Sequence, residues 1–107
     1  MKLTELINYF RAGNTLEKLC TQFEIDPDSE AIEVYSVQPI TLESELRFFE
    51  IEKTQGQLDY TAGETTYHNL FDMYYFLDLI EDLKETGSVE EDEKIAEAVL
   101  SYALNDA

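Results

Sequence analysis

The densest run of large apolar residues in the chain lies at residues 65–85, TTYHNLFDMYYFLDLIEDLKE. Its apolar residues recur three and four positions apart, which is the period of an α-helix with one buried side. The run also carries five carboxylates but a single lysine, Lys84. We therefore predict a long helix over 65–85, capped by Thr65 or Thr66 and ended at Gly87, as the element around which the domain is organised.

The predicted helix has two different sides. An apolar stripe is expected to face the core, whereas four carboxylates and two tyrosines share the remaining surface. Like charges at helical spacing cost about a few tenths of a kcal/mol per pair, so helix stability does not explain them. The alternative is that the tyrosines widen the core stripe and the acids form a solvated face. The core stripe is Leu70, Met73, Phe76, Leu77, Ile80 and Leu83; the predicted partner-binding surface, extended into the next turn, is Tyr74, Tyr75, Asp78, Glu81, Asp82, Glu85, Glu90 and Glu91.

Two shorter helices are predicted at the N-terminal end. The first covers residues 3–12, with one apolar stripe and Gly13 as its C-cap. Asn14, with Glu17 three residues later, predicts a reciprocal cap for the second helix. Cys20 falls on the apolar side of that helix, which indicates a buried small side chain and not a nucleophile.

A small antiparallel sheet is predicted between the two pairs of helices. Residues 31–38 are rich in β-formers and are followed by Pro39, which ends a strand or confines it to an edge. We predict a hairpin of 46–53 with 57–62, because a turn sequence separates two runs of strand composition. The helical alternative for 42–52 stays open, since leucine and phenylalanine recur there at helical spacing.

The last helix is predicted to begin at a capping box over residues 88–91, SVEE. Ile95, Val99 and Tyr102 are expected to line its inner side. The predicted fold is therefore one α+β domain over 1–107, mostly helical, with two N-terminal helices, a small antiparallel sheet and two C-terminal helices.

The charge of the chain restricts its partners. Among 107 residues there are 24 acidic and 7 basic ones, which gives a net charge of −17. A chain this acidic repels nucleic acids and anionic lipid, so neither direct nucleic-acid binding nor membrane binding is expected. Solubility alone is the alternative explanation of the charge. The first residues lack the apolar segment of a signal peptide and no apolar run has bilayer length, so a soluble cytoplasmic protein is expected.

Recognisable catalytic chemistry is missing from the sequence. His68 is the only histidine and Cys20 the only cysteine, so neither a disulfide nor a clustered zinc site is expected. The four glycines are isolated, which excludes a glycine-rich phosphate loop. We expect a non-catalytic protein that has no cofactor and no metal.

Size, acidity and the run Tyr-Tyr-x-x-Asp-x-x-Glu-Asp that starts at Tyr74 resemble bacterial immunity and antitoxin proteins. The resemblance implies a partner: a basic toxin, often a nuclease, whose active or substrate-binding surface this domain would occlude. One alternative is a DNA mimic that inhibits a DNA-binding protein or a defence nuclease. Another is a structural or regulatory subunit in which the apolar side of the long helix meets a second copy.

Overall fold

A computed structural model describes residues 1–87 and 90–106. The α+β class is confirmed, and the predicted succession of two helices, a sheet and two helices fits in outline. No helix of the described part is long and apolar enough to cross a membrane. In chain order the elements are α1 (Leu3–Arg11), α2 (Leu16–Phe23), β1 (Ile32–Val37), β2 (Leu46–Glu50), α3 (Ile51–Thr54), β3 (Asp59–Ala62), β4 (Thr65–Asp72), α4 (Met73–Glu85) and α5 (Asp92–Asp106).

The four strands form one antiparallel sheet in the order β2-β1-β4-β3. The predicted hairpin of 46–53 with 57–62 is wrong, because β2 pairs with β1 and β3 pairs with β4. The helical alternative for 42–52 is also wrong over the five residues of β2. β2 ends at Glu50, where the short helix α3 begins, so the predicted strand was three residues too long.

The first eight residues of the predicted long helix form strand β4. Gly63, at φ 65°, opens a two-residue loop that joins β3 to β4, and glycine is favoured at that position of a tight hairpin. Thr65, Thr66 and Tyr67 are better strand formers than helix formers. A register shift opposite β1 allows Leu70 and Phe71, although adjacent, both to be buried in the core. Leu70 in the strand and Met73 in the following helix are three positions apart, which imitates a helical period.

The helix α4 begins directly after the strand. Asp72 has an extended backbone, and its Oδ1 accepts a hydrogen bond from the main-chain N–H of Tyr74 at 2.6 Å. The predicted caps Thr65 and Thr66 are therefore wrong, since the cap lies seven and six residues further along the chain. The end of the helix agrees with prediction, because Gly87, at φ 66°, follows it closely.

The N-terminal helices agree with prediction except at their caps. Thr15, not Asn14, caps α2, because its hydroxyl accepts from the main-chain N–H of Lys18. Asn14 instead donates to the main-chain carbonyl of Tyr9 and so fixes the turn between the helices. Ala12 is the C-cap of α1, and the predicted Gly13 follows it. The capping box predicted at 88–91 includes two residues outside the described ones.

Two apolar clusters lie on opposite faces of the sheet. The larger one joins the sheet to α1, α2, α4 and α5, and it includes Cys20, which is buried as predicted. The smaller one consists of Tyr35, Phe49 and Tyr67, with the guanidinium of Arg47 about 5.3–5.4 Å from two of the rings. The helices cover one face of the sheet and turn their apolar sides towards it. The opposite side of α4 therefore faces the solvent.

The segment between α2 and β1 is held by two carboxylates. Glu50 pairs with Lys53 and accepts from the main-chain N–H of Asp26, and these bonds lower the pKa of its carboxyl. Glu52 accepts hydrogen bonds from the Ser29 hydroxyl and from the main-chain N–H of Glu30. These bonds lower the pKa of the Glu52 carboxyl. Both groups favour folding more strongly when they are ionised.

We predict that Asp72→Ala lowers the free energy of unfolding by about 1 kcal/mol, because the first turn of α4 loses its cap. Urea denaturation followed by circular dichroism measures the change. The matched control is Asp78→Ala, which removes the same charge from the exposed middle of the same helix. The control should change stability by less than about 0.5 kcal/mol. Equal losses in the two variants would contradict the assignment of the cap.

We predict that Glu50→Gln lowers the free energy of unfolding at pH 7 by about 1 kcal/mol, because a neutral amide makes weaker hydrogen bonds than a carboxylate. The folded-state pKa lies below the ordinary 4.5. The stabilisation by the ionised Glu50 carboxylate is therefore complete above the ordinary pKa of 4.5. It is lost as the pH falls through the lower pKa of the folded state.

The difference between Glu50→Gln and the original chain should accordingly shrink between pH 5 and pH 3, measured by urea denaturation at each pH. Glu64→Gln, at an exposed position of the β3–β4 turn, is the control and should differ little at either pH. A difference for Glu50→Gln that is the same at every pH would refute the ionic origin of the effect.

Candidate protein-binding surface

The exposed side of α4 begins with two tyrosines in its first turn. Tyr74 is 47% exposed and Tyr75 is 38% exposed, so both present aromatic surface to the solvent. Met73 and Phe76, which flank them in the sequence, are completely buried. The helix therefore fixes the two tyrosines at the surface, because its neighbouring residues anchor it in the core.

Four carboxylates continue the same side towards the end of α4. Asp78, Glu81, Asp82 and Glu85 are all exposed. Within residues 1–87 and 90–106, none of these four side chains takes part in an ion pair or a hydrogen bond. The first and the last are seven positions apart, a distance of about 10 Å along the axis. The structure thus brings together six of the eight residues predicted for the binding surface.

The other two predicted residues, Glu90 and Glu91, precede α5 and are also exposed. The start of α5 is tied to α1 by Asp92, whose Oδ1 lies 2.7 Å from Nη1 of Arg11. Asn8 donates to the second oxygen of the same carboxylate at 3.0 Å. Arg11 also donates to the main-chain carbonyl of Glu90. These bonds fix the position of Glu90 relative to the helices, although none of them was predicted.

A groove separates α4 from α5. Tyr75 and Tyr102 form one wall, stacked with ring centroids 5.3 Å apart and planes 17° apart. The groove has a volume of about 360 Å³. Glu90 lines it, whereas Glu91 does not. The lining residues are Tyr75, Leu79, Leu83, Glu90, Lys94, Ile95, Ala98, Val99 and Tyr102.

Tyr102 is a functional candidate that the sequence did not reveal. It was predicted to line the inner side of the last helix together with Ile95 and Val99, yet it is 49% exposed while the other two are buried. All three residues recur at helical spacing, so periodicity alone cannot separate them. The distinguishing feature is the ring of Tyr75 on α4, against which Tyr102 stacks.

His68 lies in a row of side chains that crosses the sheet. It stands opposite Ser36 of β1 and Asp59 of β3, and its Nδ1 is 2.8 Å from Oδ1 of Asp59. Serine, histidine and aspartate in this order resemble a hydrolytic triad. Ser36, however, is only 1% exposed, and its hydroxyl donates to the main-chain carbonyl of Val37 at 3.0 Å. A buried hydroxyl that donates elsewhere is not presented as a nucleophile, so we interpret the row as sheet packing.

Metal-binding chemistry is not assembled in the described ranges. Across residues 1–87 and 90–106, no three His, Cys, Asp or Glu side chains cluster in a way that could hold a metal ion. The acidic residues of α4 instead extend as a row along the helix.

In the comparisons with known proteins, no family model, curated protein or solved structure matches this chain.

We predict that Asp92→Ala lowers the free energy of unfolding by about 1–3 kcal/mol, because it leaves Arg11 and Asn8 without their shared acceptor. Thermal and urea denaturation measure the loss. Glu97→Ala removes an exposed carboxylate from the same helix and should cost less than about 0.5 kcal/mol. If both substitutions had the same small effect, the link between α1 and α5 would not contribute to stability.

Proposed function

We propose that this protein is a non-catalytic inhibitor that binds a basic protein through the exposed side of α4 and covers the surface with which that protein holds its substrate. The partner that best fits this proposal is a toxin, such as a nuclease, whose lysines and arginines contact phosphate. The domain would then act as an immunity or antitoxin protein. The observation that carries the proposal is the row of four exposed carboxylates, without an ion pair among the described residues, beside two exposed tyrosines on one helix.

The row is costly for the isolated domain, which supports a role in binding. Carboxylates three and four residues apart repel one another, and none of the four forms an ion pair within the described residues. The cations that form ion pairs are used elsewhere: Lys2 with Glu43, Arg11 with Asp92, and Lys53 with Glu50. A basic partner would supply the missing charge, and arginine can do so with two parallel hydrogen bonds per carboxylate.

The tyrosines give the proposed interface its second component. A tyrosine contributes large apolar contact area and a hydroxyl group, and it is enriched among the residues that dominate binding energy. Tyr74 and Tyr75 occupy the first turn of α4, one turn before Asp78. An aromatic anchor bordered by charge matches the usual arrangement of an interface core and its polar rim.

A DNA mimic is the alternative for the same acidic row. Mimicry of a duplex requires carboxylates spread along an extended ridge, whereas the row on α4 covers about 10 Å. Exposed tyrosines at one end of the row have no counterpart in a phosphate backbone. The compact arrangement therefore favours a protein inhibitor over a DNA mimic.

We predict that the double variant Asp78→Lys/Asp82→Lys weakens binding to the partner by at least about tenfold in 0.15 M salt, because it replaces attraction by repulsion at the centre of the row. The partner is first recovered from the native host by affinity capture and identified by mass spectrometry. Its dissociation constant for the original chain and the variant is then measured by calorimetry, together with inhibition of its activity.

The control is Asp28→Lys/Glu64→Lys, which makes the same change of charge at two exposed loop positions. The control should retain most of the affinity, because it alters net charge by the same amount but at positions outside α4. If the two double variants bound the partner with equal affinity, the surface of α4 would be excluded as the binding site. Any loss of affinity that both variants share would then be a general effect of net charge. Recovery of a DNA-binding protein that is displaced by duplex DNA would instead favour the mimic.

A further inference from the structure

The groove between α4 and α5 is an apolar feature that the acidic row does not explain. Ile95 and Val99 are buried in its floor, while Ala98 at its edge is exposed. Leu79 and Leu83, one turn apart on α4, line the opposite side and are only partly buried. Its volume, about 360 Å³, can accommodate a few side chains.

The groove has an acidic border on the side of α4. On a helical wheel, Asp82 lies next to Tyr75, and Asp78 lies next to Asp82. Both carboxylates are exposed, and Glu90 lines the groove as well. Lys94 is the one basic side chain among the lining residues. An occupant of the groove would therefore meet apolar side chains in the floor and mostly negative charge around them.

These features select one kind of occupant. A second copy of this chain would bring an equal charge of −17 and the same acidic border against it, which is unfavourable at the short distances of an interface. A helix with leucine-like residues on one side and lysine or arginine on the other satisfies both the floor and the border. Such helices bind in grooves through apolar residues at i, i+3, i+4 and i+7.

We infer that the α4–α5 groove receives an amphipathic, basic helix of the partner protein, with its apolar side chains between Tyr102 and Leu79 and its cations beside Asp78 and Asp82. The inference rests on the proposed function, and it identifies the structural element by which the basic partner is recognised. Charge would guide the partner to α4, and the groove would select a helix among basic surfaces.

The test uses three fluorescein-labelled peptides of about 18 residues, long enough to form a helix. The first contains leucine and lysine arranged so that leucines share one side. The second has the same composition in an order that distributes the leucines around the helix. The third keeps the leucine pattern but replaces lysine by glutamate. Fluorescence anisotropy should show that the intact protein binds the first at least about tenfold more tightly than the second, and the third not at all.

Groove variants then locate the binding site. Ala98→Phe should fill the groove and reduce affinity for the first peptide to that for the second, and Tyr102→Ala should weaken it by removing the wall. The matched control is Gln22→Phe, which adds the same ring at an exposed position of α2 that does not line the groove. It should bind as the original chain does. Circular dichroism of each variant establishes that it is folded.

The outcomes separate the groove from the acidic row. Equal binding of the first two peptides, unchanged by Ala98→Phe, overturns the inference; if Asp78→Lys/Asp82→Lys still weakens both peptides, the acidic row retains its proposed role. Equal binding of the lysine and glutamate helices overturns the basic character of the occupant, and with it the proposed role of charge. A dimer in sedimentation equilibrium that Ala98→Phe dissociates would identify a second copy as the occupant and also overturn the inference.

Discussion

The hydrogen bond between the Asp72 carboxylate and the N–H of Tyr74 marks the point on which the orientation of α4, and with it the proposed binding surface, depends. The residues before it belong to a strand that is paired on both sides, with β1 and with β3. The residues after it belong to a helix whose Met73 and Phe76 enter the core. Because no loop separates strand from helix, the rotation of α4 about its axis is fixed at its first residue. The side that carries Tyr74, Tyr75 and the four acids is consequently turned outward.

Self-repulsion is the second constraint, and it determines how the few cations are used. With 7 basic residues against 24 acidic ones, most carboxylates cannot be paired within the chain. The pairs that do form hold together parts distant in sequence or close a turn. Arg11 and Asp92 join α1 to the start of α5, and Lys53 pairs with the carboxylate that holds the segment before β1. Cations therefore stabilise the scaffold, while α4 is left with unbalanced charge.

Much of the fold was predictable because most elements show one clean period. The apolar stripe of α1 and the β-formers of β1 gave correct elements, and the burial of Cys20 followed from the period of α2. The prediction for residues 65–72 failed because a bulged strand continues directly into a helix, so that Leu70 of the strand and Met73 of the helix, three positions apart, imitate helical spacing. The overlooked signal was local: Gly63 opens a two-residue turn between two runs rich in threonine and tyrosine. The pairing of strands could not be predicted, because composition identifies a strand but not its neighbour.

The arrangement of the proposed binding surface on α4 was predictable because its residues belong to one helix. Residues 74–85 keep their period in the structure, so their sequence spacing was enough to show which of them share a side. The groove was not predictable, because it depends on the contact between Tyr75 of α4 and Tyr102 of α5. The residue pattern of one helix does not show which residues of another helix it contacts. The two features also contribute differently to recognition. Long-range charge raises the rate of encounter with any basic surface, whereas a shaped apolar groove slows dissociation of a matching one. An acidic row alone would bind many basic proteins weakly; in the proposed complex, the groove beside it would select one of them.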